Sequence, residues 1–314
     1  MTVRSIFRHE TFLALLLVVA LVVLSFQSDR FFTTANLLNQ GRLMTETGLI
    51  AIAMTLVIAT GGIDLSVGSI LGLTAILVGV FWKSLGLPLP AAILAALASG
   101  TLAGFGNGII VTRFGVPPLI ATLATLALYR GLAEGISEAR SVRGYPDWFY
   151  GLGQGEVLDV PTQLWLLLAA AATGAVILGY TRWGRAIYAI GANEVAARFS
   201  GLSVEKTKIA LYTASGFASA LAAVIFVSRV STTRSDMGTG IELDAITAVV
   251  LGGTSIFGGR GTVLGTVLGL CLIQALKNGL SLAGVKGDGT TMLIGVVLIL
   301  AILASNLFER GGTR

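Results

Sequence analysis

Polar residues interrupt long apolar runs at GGIDLSVG, residues 61–68, where Asp64 and Ser66 are followed by Ser69. A carboxylate in such surroundings is costly unless it is paired or hydrated, above all inside a membrane. The flanking glycines permit a break in a helix, with freed backbone groups facing a cavity or a loop end. Two interpretations stay open: Asp64 caps the following helix, or these three residues line a solute path or its gate.

Further polar side chains occur on the next apolar segments, and they offer amide and hydroxyl groups to the same path. They are Asn107, Thr122, Thr125 and Tyr129. The alternative is that each of them bonds to backbone or packs between helices.

A short capped helix is predicted within residues 181–208, TRWGRAIYAIGANEVAARFSGLSVEKTK. Asn193 is a favoured N-cap residue, and Gly201 suits the left-handed position after a last turn. Glu194 and Arg198 are four residues apart and can form an ion pair. The other face of this helix comprises Val195, Ala196 and Phe199. Two turns are too short to be stable alone, so we expect the helix to dock against a partner.

The same stretch is the most positively charged polar interval, since it holds five of the 21 lysines and arginines. Because basic residues next to membrane ends mark the cytoplasmic side, we expect residues 181–208 to lie in the cytoplasm.

The sequence does not support nucleotide hydrolysis, other catalysis or metal binding. There is no G-x-x-x-x-G-K-[ST] phosphate loop, no nucleophile–base pair and no metal-ligand cluster, and the one histidine and one cysteine leave little to build from. Asp236, Glu242 and Asp244 lie close in sequence, and we interpret them as loop charges neutralised by Arg229 and Arg234. We expect neither an enzyme nor a cofactor or metal site.

The composition indicates that membrane-spanning helices position these residues. Hydrophobic residues make up 54% of the chain and charged residues 12%, about half the charged share of a soluble domain. The net charge of +5 therefore points to membrane topology rather than nucleic acid. We predict an all-α, polytopic membrane protein in which residues 1–314 form one transmembrane domain. Ten spans are predicted, with eight as the alternative: 11–26, 43–60, 69–82, 89–112, 116–132, 162–180, 209–229, 243–256, 262–283 and 290–308.

An even number of spans puts both termini on one side, here the cytoplasmic side of a bacterial inner membrane. The first run is predicted to be a retained helix, because no suitable signal-peptide cleavage site follows it. Two ladders of glycines at every fourth position, 100/104/108 and 261/265/269, predict closely packed helices.

Three stretches together resemble a known family. They are GRAIYAIGANEVAARFSGLSVEKTK, MTLVIATGGIDLSVGSILGL and ELDAITAVVLGGTSIFGGRGTVLGT. They resemble the membrane permease subunit of bacterial ATP-binding-cassette sugar importers of the ribose, xylose, rhamnose and autoinducer-2 type. The resemblance covers nearly the whole chain and implies ten spans with cytoplasmic termini.

In that family the loop matching residues 184–201, which includes Gly191, carries the coupling helix that docks into the ATPase subunit. The resemblance also implies a periplasmic or extracytoplasmic sugar-binding protein, a second permease copy or paralogue in a dimer, and a surrounding lipid bilayer. The implied mechanism is alternating access, driven by ATP-dependent closure of the ATPases.

We expect the cargo to be a monosaccharide, a pentose or a deoxyhexose such as ribose or rhamnose. Alternatives within the superfamily are an autoinducer-2 or a branched-chain amino acid permease. An integral-membrane enzyme would need a convergent polar set at membrane depth, and a passive channel would not need a capped cytoplasmic helix.

Overall fold

The computed structural model describes residues 3–138 and 140–285 and positions 289, 292, 295, 296 and 299, with side chains from His9 onward. The predicted all-α class is confirmed, because the only strands in these residues form a two-residue hairpin, β1 (Glu156–Val157) and β2 (Val160–Pro161). The helices are α1 (Val3–Ser25), α2 (Thr34–Ala59), α3 (Val67–Gly79), α4 (Leu89–Thr112), α5 (Pro118–Ser137), α6 (Asp147–Gln154), α7 (Thr162–Tyr180), α8 (Arg182–Ala192), α9 (Glu194–Phe199), α10 (Val204–Val230), α11 (Ile241–Leu251) and α12 (Val263–Leu282).

Seven helices within the described residues are long and apolar enough to cross a bilayer: α2, α3 with its π-helical extension Val80–Ser84, α4, α5, α7, α10 and α12. The apolar part of α1, His9–Ser25, is shorter. The chain is therefore a polytopic helical membrane protein. The predicted tenth span, 290–308, lies outside the continuously described residues.

The predicted span 243–256 is replaced by the half-length helix α11. Its 11 residues extend about 16 Å, half of the hydrocarbon thickness of a bilayer. Glycines terminate it at both ends, since Gly240 (φ +84°) precedes it and Gly253 (φ +87°) follows it. The sequence after Leu251, Gly-Gly-Thr-Ser, carries no charge, but the backbone turns there.

Helix α2 begins nine residues earlier than the predicted span at residue 43. Its N-cap is Thr33, whose hydroxyl accepts the amide of Asn36 at 3.4 Å. Gln40 in this polar first part donates to Asn278 of α12 at 2.9 Å and accepts from Gln274 at 2.6 Å. Interhelical amide bonds of this kind satisfy polar groups among packed membrane helices, so the polar sequence is compatible with a helix here.

The centre of the bundle consists of α2, α3 and α10. Every residue from 48 to 60 and from 66 to 76 is buried. By contrast, α4, α5 and α7 leave large apolar side chains exposed along one face, such as Leu94, Ile120 and Leu168. These faces suit contact with lipid acyl chains.

The first glycine ladder packs α4 against α10, as predicted. A Cβ at Gly104 would lie 2.3 Å from the carbonyl oxygen of Tyr212, and one at Gly108 would lie 2.8 Å from the Cα of Ile209. No side chain fits between helices this close, and the contact fixes α10 in the core.

Two ends of the bundle can be distinguished. At the first, called the α9 end, the last turn of α2 meets α8 and the loop 252–261 before α12. At the second, called the opposite end, Gln154 of α6 donates to the carbonyl of Arg229 at 2.9 Å, and Arg42 of α2 pairs with Glu156 of the hairpin. Each end carries its own group of polar residues.

Candidate coupling and transport sites

The predicted short helix is α9, and both of its caps form. The side chain of Asn193 accepts a hydrogen bond from the amide of Ala196 at 2.9 Å. Gly201 adopts φ +81° after the last turn. The preceding sequence also folds as a helix, α8, whose N-cap Thr181 accepts from the amide of Gly184 at 3.2 Å.

Ion pairs within the chain hold α9 in place. Glu194 lies 2.6 Å from the Lys208 ammonium of α10 and 3.5 Å from Arg198. Arg198 also lies 3.6 Å from Glu205. Beneath these charges, Ala197 is buried in a small apolar cluster, whose other members are Ile190, Leu202 and Val204.

One face of α9 has no covering in the described residues. Phe199 is 89% exposed and Val195 is 64% exposed, and Ala196 is exposed beside them. The predicted coupling residues therefore divide into two groups: Glu194 and Arg198 fix the helix to its own chain, whereas Val195, Ala196 and Phe199 form a small apolar surface, called here the α9 face.

Gly191 joins α8 to two other elements. A Cβ at this position would lie 2.0 Å from the carbonyl oxygen of Ala59 and 2.3 Å from the amide nitrogen of Gly259. Gly258 (φ +85°) lies against Gly61 at the same junction. Each of the three stretches that carry the family resemblance contributes to this contact.

The Asp64 side chain is fully buried and accepts three hydrogen bonds. Its Oδ1 accepts from the Ser66 amide at 3.0 Å and from the Ser66 hydroxyl at 2.6 Å. Its Oδ2 accepts from the hydroxyl of Ser215 on α10 at 2.9 Å. Asn107 of α4 donates to the Ser66 hydroxyl at 2.7 Å, so the cluster links the start of α3 to α4 and α10.

The capping prediction needs refinement. Ser66 occupies the N-cap position of α3 and makes no side-chain cap bond. Asp64 secures the turn ahead of the helix by binding the amide of Ser66, not an amide of the first helical turn.

Hydroxyls of the remaining predicted path residues bond to backbone. Ser69 donates to the carbonyl of Ser66 at 2.8 Å. Thr122 donates to the carbonyls of Pro118 at 2.9 Å and Ile63 at 3.2 Å. Thr125 reaches only the carbonyl of Thr122, at 3.3 Å. The structure thus gathers Asp64, Ser66, Ser69, Asn107 and Thr122 into one enclosed cluster and leaves Thr125 at its margin.

The sequence prediction missed a buried ion pair at the opposite end. Arg229 of α10 lies 2.8 Å from Glu46, whose side chain is 3% exposed near the middle of α2. The available signal was a glutamate next to the long apolar run of α2. Ser215, which donates the third hydrogen bond to Asp64, has no comparable signal, because serine is common in packed membrane helices.

The predicted neutralisation of Asp236, Glu242 and Asp244 by Arg229 and Arg234 is only partly right. Arg234 does pair with Asp236 at 2.5 Å and holds the pKa of that carboxyl below its usual range, mainly by hydrogen bonding. Arg229 pairs with Glu46 instead, and Asp244 pairs with Lys277 of α12 at 2.5 Å. The pairing is set by helix packing, which sequence proximity does not reveal.

Within the described part of the chain, no group of three histidine, cysteine, aspartate or glutamate residues is placed to hold a metal ion. In these residues the fold builds two other features: the exposed apolar α9 face, and enclosed hydrogen-bonded clusters between helices.

Sequence comparison places the chain in a family. A family model described as "branched-chain amino acid transport system / permease component" matches residues 36–302. Since this covers most of the chain, the protein belongs to this family of membrane permeases. The predicted family resemblance is confirmed.

Individual relatives specify the family further. The ribose import permease protein RbsC of Escherichia coli K12 is 41% identical over 306 residues, covering 95% of this chain and 93% of the relative. RbsC of Bacillus subtilis is 40% identical, covering 91% and 89%. The autoinducer 2 import system permease protein LsrD of Photorhabdus luminescens is 35% identical, covering 98% and 94%.

Proposed function

We propose that the protein is the membrane-spanning subunit of an ATP-driven importer that carries a monosaccharide, with ribose as the first substrate to test. The observation that supports this most directly is the α9 face, an apolar surface on a helix that is fixed by ion pairs and left exposed. The ribose assignment rests on the similarity to ribose import permeases along nearly the whole chain.

The partner at the α9 face is a separate ATPase subunit. The chain has no phosphate loop of its own, so energy must arrive through contact. ATP-bound and ATP-free states of the ATPase must bind two permease conformations with different affinity, since a partner without that difference shifts nothing. Gly191 lies against the end of α2 and the loop before α12, so a movement of α8 and α9 displaces both.

Import further requires an extracytoplasmic binding protein that delivers the sugar and a second permease subunit, identical or paralogous, to complete the path. Residues 1–314 act as one transmembrane domain of this assembly. The chain itself performs no catalysis.

The orientation follows from the position of α9. If α9 docks on an ATPase, the α9 end lies on the cytoplasmic side of a bacterial inner membrane. The start of α1 is at this same end, because Glu10 accepts from Thr262 at 2.5 Å and the His9 ring nitrogen lies 3.1 Å from the carbonyl oxygen of Leu251. The N-terminus is thereby cytoplasmic, and the C-terminal residues lie outside the described structure.

The enclosed Asp64 cluster serves as a gate in this proposal. It joins α3, α4 and α10 through hydrogen bonds that a rearrangement of the spans must break or exchange. Asp64, Ser66 and Asn107 would hold the closed state, whereas Ser69, Thr122 and Thr125 support the backbone around them.

Reconstitution tests the proposed function. The complex should be purified by a tag on this chain, reconstituted in liposomes with its binding protein, and assayed for uptake of radiolabelled ribose and leucine. We expect an ATPase to copurify and ribose uptake to require ATP. Uptake of leucine without ribose would instead support the amino acid alternative, and the absence of a copurifying ATPase would reject the proposal.

A further inference from the structure

A cavity of about 540 Å³ opens at the opposite end of the bundle, between α2, the end of α10 and the start of α11. This size lies in the range of ordinary small-molecule pockets. Its lining includes Glu46, Phe226, Arg229, Thr232, Asp236 and Asp244, and we call it the outer cavity. We propose that the outer cavity binds a neutral polyhydroxylated solute, a monosaccharide ring, within a single permease subunit. This inference rests on the proposed function in sugar import.

Irregular backbone inside the bundle lines the outer cavity. Helix α11 ends at the α9 end and is about 16 Å long, so its first residue lies part of the way into the bundle. The pairing of Asp244 in its first turn with Lys277 of α12 fixes that depth. The loop from 231 to 240 must descend from the end of α10 to this point. Non-helical backbone at such depth is tolerated where it is buried in protein or lines a water-filled cavity, and Gly238 and Thr239 do line this one.

The Glu46–Arg229 pair supplies the polar contacts. An ion pair between membrane helices gains little stability over apolar packing, because removing both charges from water is costly. Charged groups in such positions are characteristic of solute pathways. A carboxylate accepts hydrogen bonds from sugar hydroxyls, and a guanidinium with several N–H groups donates to them.

Two more groups suit a sugar ring. The Phe226 ring lies 4.8 Å from the Arg229 guanidinium carbon and gives the cavity an aromatic surface beside its charges. The Thr232 hydroxyl is buried and has no hydrogen-bond partner among the described residues, and Thr232 belongs to the cavity lining. A buried hydroxyl without a partner is costly, and a bound hydroxyl group would satisfy it.

The charge balance selects a neutral ligand over an amino acid. Each acid that lines the outer cavity is paired: Glu46 with Arg229, Asp236 with Arg234, and Asp244 with Lys277. A zwitterion would have to break such pairs to form its own. Hydroxyl groups can add to the pairs, since every carboxylate and guanidinium retains further hydrogen-bonding positions.

Ligand protection of a cysteine tests this site. Thr232→Cys is made in a Cys271→Ser background, and the detergent-purified complex with its ATPase is labelled with a small hydrophilic thiol reagent. We expect D-ribose at high concentration to slow labelling several-fold and leucine at the same concentration to have no effect. The matched control is Gln27→Cys, exposed after α1 and outside the lining of the outer cavity, whose labelling rate should not respond to ribose.

Equal labelling rates with and without ribose, in variants that keep the thermal unfolding temperature of the parent, would overturn the inference, as would protection by leucine alone. Ribose uptake by the wild-type complex, measured in parallel, separates the two proposals. Uptake without protection rejects the outer cavity and leaves the importer intact, whereas absence of both uptake and protection rejects ribose both as the cargo and as the ligand of the outer cavity.

Discussion

The backbone amide of Gly259 donates a hydrogen bond to the carbonyl of Ala59 at 2.9 Å. This bond joins the loop before α12 to the last residue of α2. Gly191 of α8 lies against both partners, with no room for a methyl group. The helix pair that presents the α9 face is thus in direct backbone contact with two elements that enter the membrane.

Gly191→Ala tests this contact. The added methyl would meet the Ala59 carbonyl oxygen at 2.0 Å, so α8 must shift, and overpacking of this kind costs about 1–3 kcal/mol. We expect a lower thermal unfolding temperature and weaker coupling of ATP hydrolysis to transport. Gly179→Ala on α7 is the control, because nothing lies within 4 Å of its Cβ position. Equal unfolding temperatures for the two variants would contradict the close packing described for Gly191.

Phe199→Ala should weaken ATPase binding without unfolding the permease. The side chain is 89% exposed, so its loss removes little from the fold, while a central aromatic residue of an interface contributes about 2 kcal/mol or more. The measurement is the amount of ATPase that copurifies. Phe26→Ala, 86% exposed at the end of α1, is the matched control and should copurify the ATPase as the wild type does. A loss of the same size in both variants would argue against a specific role for Phe199.

Arg198→Glu should loosen α9. The substitution replaces two ion pairs, with Glu194 and Glu205, by repulsion among three carboxylates. We expect transport-coupled ATP hydrolysis to fall while the unfolding temperature changes little, because exposed pairs stabilise a protein by about 1 kcal/mol or less. The double variant Arg198→Glu, Glu205→Arg restores one pair and should recover part of the coupling. No recovery would mean that Arg198 contacts the ATPase directly.

Asp64→Asn should destabilise the junction of α3, α4 and α10. The neutral side chain keeps one oxygen acceptor, so its new amide group faces either the Ser66 amide, which is a donor, or the Ser215 hydroxyl, which must turn to accept. The loss of bonds to a buried carboxylate costs about 1–3 kcal/mol. Thermal unfolding and ribose uptake are the readouts. Ser215→Ala, which removes only the bond to Oδ2, should have a smaller effect on both. Wild-type stability and uptake in Asp64→Asn would exclude both the structural and the gating role.

Local signals were sufficient to predict some elements. Asn193 and Gly201 define α9 because helix caps depend on residues within one turn. The class of fold followed from composition and run length. The extent of α11 did not, because the predicted span continued through residues 252–256, whereas the conformation of Gly253 ends the helix before them.

The sequence did not predict ion pairs between residues that are far apart in the chain. Glu46 and Arg229 are separated by 183 residues, and no local pattern predicts which arginine a buried glutamate will meet. Asp244 likewise bonds to Lys277 rather than to the nearer Arg229 or Arg234. The sequence also does not show which residues line the solute path. A serine or threonine whose hydroxyl bonds to backbone looks the same in sequence as one whose hydroxyl faces a solute.

Cross-linking from the α9 face tests whether α9 docks on the ATPase. A cysteine at Val195, 64% exposed, in a Cys271→Ser background is treated in the purified complex with a short reagent that joins a thiol to a nearby lysine amine. We expect an adduct between this chain and the ATPase, with a yield that changes when ATP is added. A cysteine at Gln27, exposed at the opposite end, should give none. If Val195→Cys yields no more ATPase adduct than Gln27→Cys, α9 is not the coupling helix.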